Sequence, residues 1–252
     1  MKDEFPIKYY QELLTAKGRK EHSAFIVEGL RQVEQFIKSE KLKIKEILSV
    51  EPIEFLLKEV PVRYINYSQL QRISDSKNPN GVIAVAEIPK AQKIEEKNLE
   101  DGKILLLENV QDPGNVGTLI RNAAAFGFST VILSAGCADV YSPKVVRSTG
   151  GAVCNLKIIP QAEIFDCLNT LKNLRYKLVV ADLDGESDFL PKRKDNKVIF
   201  ALGNEGNGVS KRLKSLADFV FTIPFDDSAI ESLNVSSAGA VGMYLLRKKE
   251  LE

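Results

Sequence analysis

Three short segments hold polar residues whose types and spacing could do chemistry. In the first, Asn115 and Arg121 stand in an Asn-x-Gly-x-x-x-Arg spacing. Arg121 lies one turn from Gly117 and looks towards the loop at the carboxyl end of the preceding strand, where open α/β sheets place ligands. In the second, Leu202-Gly203-Asn204-Glu205-Gly206-Asn207-Gly208 places a carboxylate among three glycines. Glycines allow tight turning and close backbone approach to a ligand, and Glu205 suits a positively charged or hydroxyl-bearing one. In the third, Glu231-Ser232-Leu233-Asn234-Val235-Ser236 opens a helical pattern. A final packed helix explains the alanines and glycines that follow, but not the polar group at its start.

Other chemistries find no support. His22 is the only histidine, so a Ser-His-Asp or Cys-His site would have to use it. Cys137, Cys154 and Cys167 are odd in number and contain no Cys-x-x-Cys pair, which argues against a disulfide frame or a zinc site. The glycine spacing G-x-x-G-x-G is not the dinucleotide fingerprint, and Asp112-Pro113-Gly114-Asn115 does not supply one either. A nucleotide-dependent oxidoreductase therefore lacks its signature.

All three segments follow predicted strands. Ile104 to Leu107, Val198 to Leu202 and Phe219 to Ile223 are apolar runs, joined by others at Thr130 to Leu133, Leu156 to Ile159 and Lys177 to Ala181. Near-continuous apolar strands alternating with helices indicate a parallel sheet covered on both faces. A helix is expected from about Asn115, with Val116, Leu119, Ile120, Ala123 and Ala124 inward and Arg121 off that stripe. Taken alone, that helix fits an ordinary N-cap with a solvated arginine. The last helix should bury Val235, Ala238, Gly239, Gly242, Leu245 and Leu246.

Residues 1–90 alternate helix and strand and read as a smaller α/β domain. Within them Tyr9 to Ala16 looks helical, Lys17-Gly18-Arg19-Lys20 reads as a basic turn, and Ile53 to Lys58 reads as a helix. Residues 91–102 are charged, poor in large apolar side chains, and read as a linker to a domain over 103–252. Hydrophobic residues make up 44% of the chain, which supports an ordinary core, and the formal net charge of +1 advertises no global field for a polyanion. Met1 to Tyr10 has no apolar run of a secretory signal, and no stretch is long enough for a bilayer. A cytoplasmic protein without a membrane span is expected.

Together the segments resemble the three motifs of SpoU-type RNA 2′-O-ribose methyltransferases, of the SPOUT superfamily. Asn115-x-Gly117-x-x-x-Arg121 is similar to the first motif, Leu202-Gly203-Asn204-Glu205-Gly206-x-Gly208 to the second, and Ile223-Pro224 with Glu231 to Ser236 to the third. The N-terminal unit resembles the family's substrate-binding domain through Lys17-Gly18-Arg19, Phe25 to Gly29 and Asn80 to Val85. The resemblance implies a small RNA-binding α/β domain followed by a trefoil-knotted α/β methyltransferase domain, pairing as a homodimer through the C-terminal halves. It implies S-adenosylmethionine on Gly203, Ile223 and Leu233, largely through backbone groups, with Leu202, Gly206 and Ser232 in the same loops. The resemblance gives the motif-one arginine, Arg121, a base role. Because arginine stays protonated, Arg121 is expected instead to bind the RNA phosphate and the 2′-hydroxyl and to assist deprotonation, with Asn115, Glu205, Asn234 and Ser236 holding Arg121, the ribose and the loops. No metal is required.

By analogy alone, the separate N-terminal domain favours ribosomal RNA over tRNA as substrate. The rivals are a tRNA 2′-O-methyltransferase and a non-catalytic RNA-binding protein that kept the fold. Lys17, Arg19 and Lys20, with Arg31, form a basic group expected to dock RNA. The sequence departs from the family between Pro224 and Glu231. Phe225-Asp226-Asp227-Ser228-Ala229-Ile230 stands there in place of the usual Met and Gly.

Overall fold

The computed structural model describes residues 5–39, 41–53, 60–90, 94, 102–186 and 197–251. The expected linker at 91–102 and the helix at Ile53 to Lys58 fall largely outside them. The chain packs as two compact units, residues 1–90 with 139–155, and residues 91–138 with 156–252. The linear division into 1–90 and 103–252 leaves the segment 139–155 on the other side of its boundary.

The first unit is built on strands β1 (Ala24–Glu28), β2 (Ile44–Ser49), β3 (Val62–Tyr64) and β4 (Val82–Glu87), in the order β1-β4-β2-β3. Helices α1 (Ile7–Leu13), α2 (Ala16–His22), α3 (Leu30–Ser39) and α4 (Tyr67–Ile73) complete its N-terminal part. Tyr10, Leu13, Ile26, Leu48, Leu70 and Ile83 share one core. Phe25 instead packs its ring against that of Tyr141 in a tilted contact, and Val140, Val145 and Val146 are buried. The segment 139–155, with its helix over Pro143–Ser148, therefore completes this unit's core.

Lys17 to Lys20 form part of α2, not a turn. The Thr15 hydroxyl caps that helix by accepting from the Gly18 amide at 3.1 Å. Gly18 serves close packing rather than turning, since a Cβ there would stand 2.1 Å from the Glu12 carbonyl oxygen.

Among its described residues the second unit has six parallel strands: β5 (Lys103–Leu107), β6 (Phe128–Ser134), β7 (Lys157–Ala162), β8 (Lys177–Glu186), β9 (Val198–Leu202) and β10 (Phe219–Phe221). Their order is β10-β8-β9-β5-β6-β7. The chain leaves β5 in one direction and later returns to its other side at β9. Open α/β sheets place ligands outside the strand carboxyl ends at such a reversal.

The helices are α5 (Pro113–Ala125), α6 (the Pro143–Ser148 helix already described), α7 (Ile164–Asn173), α8 (Lys211–Ser215) and α9 (Val235–Leu251). Leu168, Leu171 and Leu213 of α7 and α8 cover one face of the sheet together with Ile104, Leu106, Ile132 and Ile199. Small residues bring α9 down on the other face. A Cβ on Gly239 would lie 2.3 Å from Leu119 and 2.9 Å from Leu202, and one on Gly242 would lie 2.3 Å from the Phe200 ring. Gly239, Gly242 and Leu246 are buried as the periodicity predicts, while Val235, Ala238 and Leu245 are half-buried. β10 stops at Phe221, two residues before the predicted end, because its pairing with β8 shifts register after Val220.

Candidate active site

The site lies where β5, β9 and β10 end. Asp112 caps α5, its carboxylate accepting from the Asn115 amide at 2.9 Å, and Pro113 supplies the first helical turn. Proline suits that position because its missing N–H would have no helical partner there. This sets Asn115 on the first turn of α5, facing the loop after β9.

That loop closes on itself. The backbones of Asn204 and Gly208 exchange two hydrogen bonds, both 2.9 Å. Gly203 sits at the crossing, where a Cβ would come 2.1 Å from the Gly208 carbonyl carbon. The Asn204 carboxamide accepts from the amides of Gly206 at 3.0 Å and Asn207 at 3.1 Å. At the far end Glu108, 5% exposed, accepts from the Ser210 amide at 2.6 Å and its hydroxyl at 2.8 Å.

Held this way, Glu205 meets α5. One carboxylate oxygen accepts from the Asp112 amide and the Asn115 side chain, both 3.1 Å; the other accepts from the Gln111 amide at 3.2 Å. Partial burial would push this carboxyl upward. The hydrogen bonds from Asn115 and the surrounding amides outweigh that and hold it below the ordinary carboxylate range. Asn115 passes the link on, its Oδ1 accepting from Asn234 Nδ2 at 3.1 Å. Asn234 Oδ1 in turn caps α9, accepting from the Ser236 amide at 2.8 Å and hydroxyl at 2.6 Å. Glu205, Asn115, Asn234 and Ser236 are thus one relay joining all three segments.

Arg121 is outside that relay. It is exposed on α5 and forms no hydrogen bond or ion pair among the described residues. The expectation that the relay residues hold Arg121 is corrected here: they hold the loops to one another, and Arg121 stands free.

Beside the relay is a cavity of about 530 Å³, within the range typical of small-ligand sites. Leu202, Gly203, Gly206, Ile223, Ser232 and Leu233 all line it. So do Asp182 and Asp184 of β8, both bridged by Lys214 of α8 at 2.7 and 3.0 Å. Sequence reasoning missed this trio, since nothing local connects a strand end to a lysine on a later helix. It also missed Asp112 as the cap of α5, which the following Pro113 could have signalled because proline favours the first helical position. Phe225 also lines the cavity, whereas Asp226 and Ser228 of the atypical loop are exposed and bonded to each other.

The basic group of the first unit divides. Lys17, Lys20 and Arg31 are exposed. Arg19 is 4% exposed, and its guanidinium donates to Asp139 at 3.0 Å through Nε and to the carbonyls of Leu13 at 3.0 Å and Leu14 at 2.9 Å. Its donors are spent inside the unit, so it is not placed to dock RNA. Among the described residues no group of His, Cys, Asp or Glu could hold a metal ion, and no helix is long and apolar enough to cross a membrane.

Residues 102–244 match the family model of the SpoU rRNA Methylase family, and residues 5–84 match that of the MRM3-like substrate binding domain. The chain is similar to the Bacillus subtilis 23S rRNA (guanosine(2553)-2′-O)-methyltransferase RlmP, at 30% identity over 96% of this chain and 95% of the relative. It superposes on the Streptomyces viridochromogenes SpoU methyltransferase AviRb in complex with the cofactor AdoMet, with a TM-score of 0.83, 25% identity and 98% of each chain covered. The AdoMet-bound rRNA methyltransferase of Sinorhizobium meliloti gives a TM-score of 0.83 at 27% identity, covering 96% of this chain and 94% of that one. The two family matches and the full-length similarity to RlmP carry the same assignment as the motif geometry: this chain belongs to the SpoU family of RNA methyltransferases.

Proposed function

We propose that this protein transfers a methyl group from S-adenosylmethionine to a ribose 2′-hydroxyl of RNA, with ribosomal RNA as the substrate. The observation that carries this reading is the relay from Glu205 through Asn115 to Asn234, which ties all three segments together against one cavity. The cavity suits the cofactor. Leu202, Val209, Phe221 and Leu233 offer apolar surface for a purine, and four carboxylates, Asp182, Asp184, Glu205 and Glu231, face only Lys211 and Lys214. Such a balance favours a cationic ligand. Ribosomal RNA is preferred over tRNA because RlmP, a 23S rRNA enzyme, aligns over nearly its whole length, N-terminal unit included.

When bound, the cofactor supplies a methyl group already activated on a sulfonium. The chain's own residues orient the acceptor. Gly203, Ile223 and Leu233 hold the loops against the cofactor through backbone groups. Arg121, exposed and without a partner among the described residues, clamps the RNA phosphate and the 2′-hydroxyl. Orientation of this kind can supply about 7–11 kcal/mol of a barrier. Arginine stays protonated, so Arg121 holds the acceptor hydroxyl as a clamp and is not the base that removes its proton. Lys17, Lys20 and Arg31 dock RNA on the first unit.

The catalytic halves thread as a trefoil knot and pair as a homodimer. The pairing is supported by Val241 and Tyr244, 40% and 50% exposed along one side of α9. Light scattering at micromolar concentration should give twice the chain mass, and a monomer that still methylates RNA would remove the dimer from the reading. The function itself is tested by mapping 2′-O-methyl groups in RNA from a strain lacking the protein. One 23S rRNA site should lose its methyl group. Loss confined to tRNA would overturn the choice of substrate, and no loss anywhere would overturn the activity.

A further inference from the structure

Beyond the three motif segments, we propose that Asn109 is a positioning residue that sets the Glu205 relay through its backbone carbonyl. Asn109 follows β5 and is held with φ of 57°, in the left-handed region that Asn tolerates and most side chains do not. In that conformation its carbonyl accepts from Asn204 Nδ2 at 3.0 Å. Asn204 uses the other end of the same carboxamide to accept from Gly206 and Asn207. One amide side chain therefore both folds the loop and fastens it to Asn109, and Glu205 is the next residue along.

Asn109 is itself fixed from β6, a strand that carries none of the three motifs. Its amide donates to the Ser134 hydroxyl at 2.9 Å, and its Oδ1 lies 3.1 Å from the same hydroxyl, which donates to it. The side chain covers Gly136 so closely that a Cβ there would be 2.1 Å from Asn109 Oδ1. The linkage runs from Ser134 through Asn109 and Asn204 to Glu205. Its geometry depends on a positive φ at one exposed non-glycine residue.

Three variants separate this role from a merely structural one. Asn109→Val disfavours the left-handed conformation, Asn109→Gly keeps it, and Ser134→Ala removes the support without touching φ. Hydrogen exchange in the free protein reads the loop without any ligand. Asn109→Val should speed exchange of the Gly206 and Asn207 amides about tenfold, the scale of a 1–2 kcal/mol conformational penalty. Asn109→Gly should recover most of that protection, and Ser134→Ala should fall between them. Unchanged exchange in Asn109→Val, or no recovery in Asn109→Gly, overturns the proposal.

The consequence for the site rests on reading the cavity as the cofactor site. It is measured by calorimetry with S-adenosylhomocysteine. Asn109→Val should bind about tenfold more weakly, and combining it with Glu205→Gln should add little to Glu205→Gln alone. Losses that multiply would show that Asn109 does not act through Glu205. A wild-type protein that does not bind S-adenosylhomocysteine overturns the cofactor reading, and the exchange result then decides the positioning claim by itself.

Discussion

Gly203, Gly206 and Gly208 share one loop, and the structure assigns an alanine at each a different outcome. At Gly203 the added methyl would stand 2.1 Å from the Gly208 carbonyl carbon and 2.2 Å from both the Gly208 oxygen and the Val209 nitrogen. Non-bonded carbons settle near about 3.5–4.0 Å, so the crossing must open by roughly 1 Å or more. All three obstacles are backbone, and no side chain can swing aside. Opening breaks the paired Asn204–Gly208 hydrogen bonds. Overpacking costs about 1–3 kcal/mol and each lost bond about 0.5–1.5 kcal/mol, giving roughly 2–6 kcal/mol in all. For a chain of this size that lowers Tm by about 5–20 °C. At Gly208, with φ of 66° and nothing within 4 Å of a Cβ, only the left-handed conformation penalises alanine, by about 1–2 kcal/mol. At Gly206 the nearest atom is Asn204 Oδ1 at 3.7 Å and φ is not positive, so the change should stay within about 0.5 kcal/mol. Thermal unfolding should rank the losses Gly203→Ala, then Gly208→Ala, then Gly206→Ala. Calorimetry should show Gly203→Ala binding S-adenosylhomocysteine at least about tenfold more weakly, equivalent to 1.4 kcal/mol. A Gly203→Ala protein with wild-type Tm and affinity, or a Gly206→Ala protein that is the least stable of the three, would refute the packing argument.

Arg121→Ala removes an exposed side chain with no described partner, so Tm should move by less than about 2 °C and S-adenosylhomocysteine affinity should survive. Single-turnover methyl transfer should fall by orders of magnitude, and Arg121→Lys should restore little because a point charge does not reproduce a planar fork. Near-normal transfer in Arg121→Ala would make it an ordinary solvated arginine. Arg19→Ala should destabilise by about 3 kcal/mol, the low end for a broken buried pair because Asp139 is 39% exposed. Charge reversal at Lys17 and Lys20 should instead spare stability and flatten the salt dependence of RNA binding, and an unchanged salt slope would remove them from the interface. Glu205 is held below its ordinary value of 4.5, so the relay's contribution is complete above that pH and is lost as pH falls through the lower folded value. Cofactor affinity should therefore stay level in this respect from pH 8 to about 5 and decline only in stronger acid. Glu205→Gln should lose affinity at neutral pH and abolish that decline; a Glu205-dependent midpoint between pH 6 and 8 would contradict the hydrogen-bond assignment.

The sequence by itself determined what depends on neighbours a few residues apart. Apolar runs marked the strands of the parallel sheet, the spacing of Val116, Leu119, Ile120 and Ala123 marked the buried side of α5, and that of Gly239, Gly242 and Leu246 the buried side of α9. Caps and periods of 2 and 3.6 residues are local physics, legible without the fold. The three motif segments were legible too, because close backbone approach demands glycine and the resemblance rests on residue types. Only the tertiary structure decided which polar groups meet. Asn115 touches both Glu205 and Asn234 because β5 and β9 are neighbours in the sheet and α9 lies across α5, an order no local pattern encodes. It decided that Arg19, written among lysines in a basic run, turns inward to Asp139 of a segment that the chain reaches only after β6. It also decided the left-handed turn at Asn109, whose carbonyl finds Asn204 only once β9 lies beside β5. A long-range hydrogen bond is set by strand order and packing, so its partners are read from the fold.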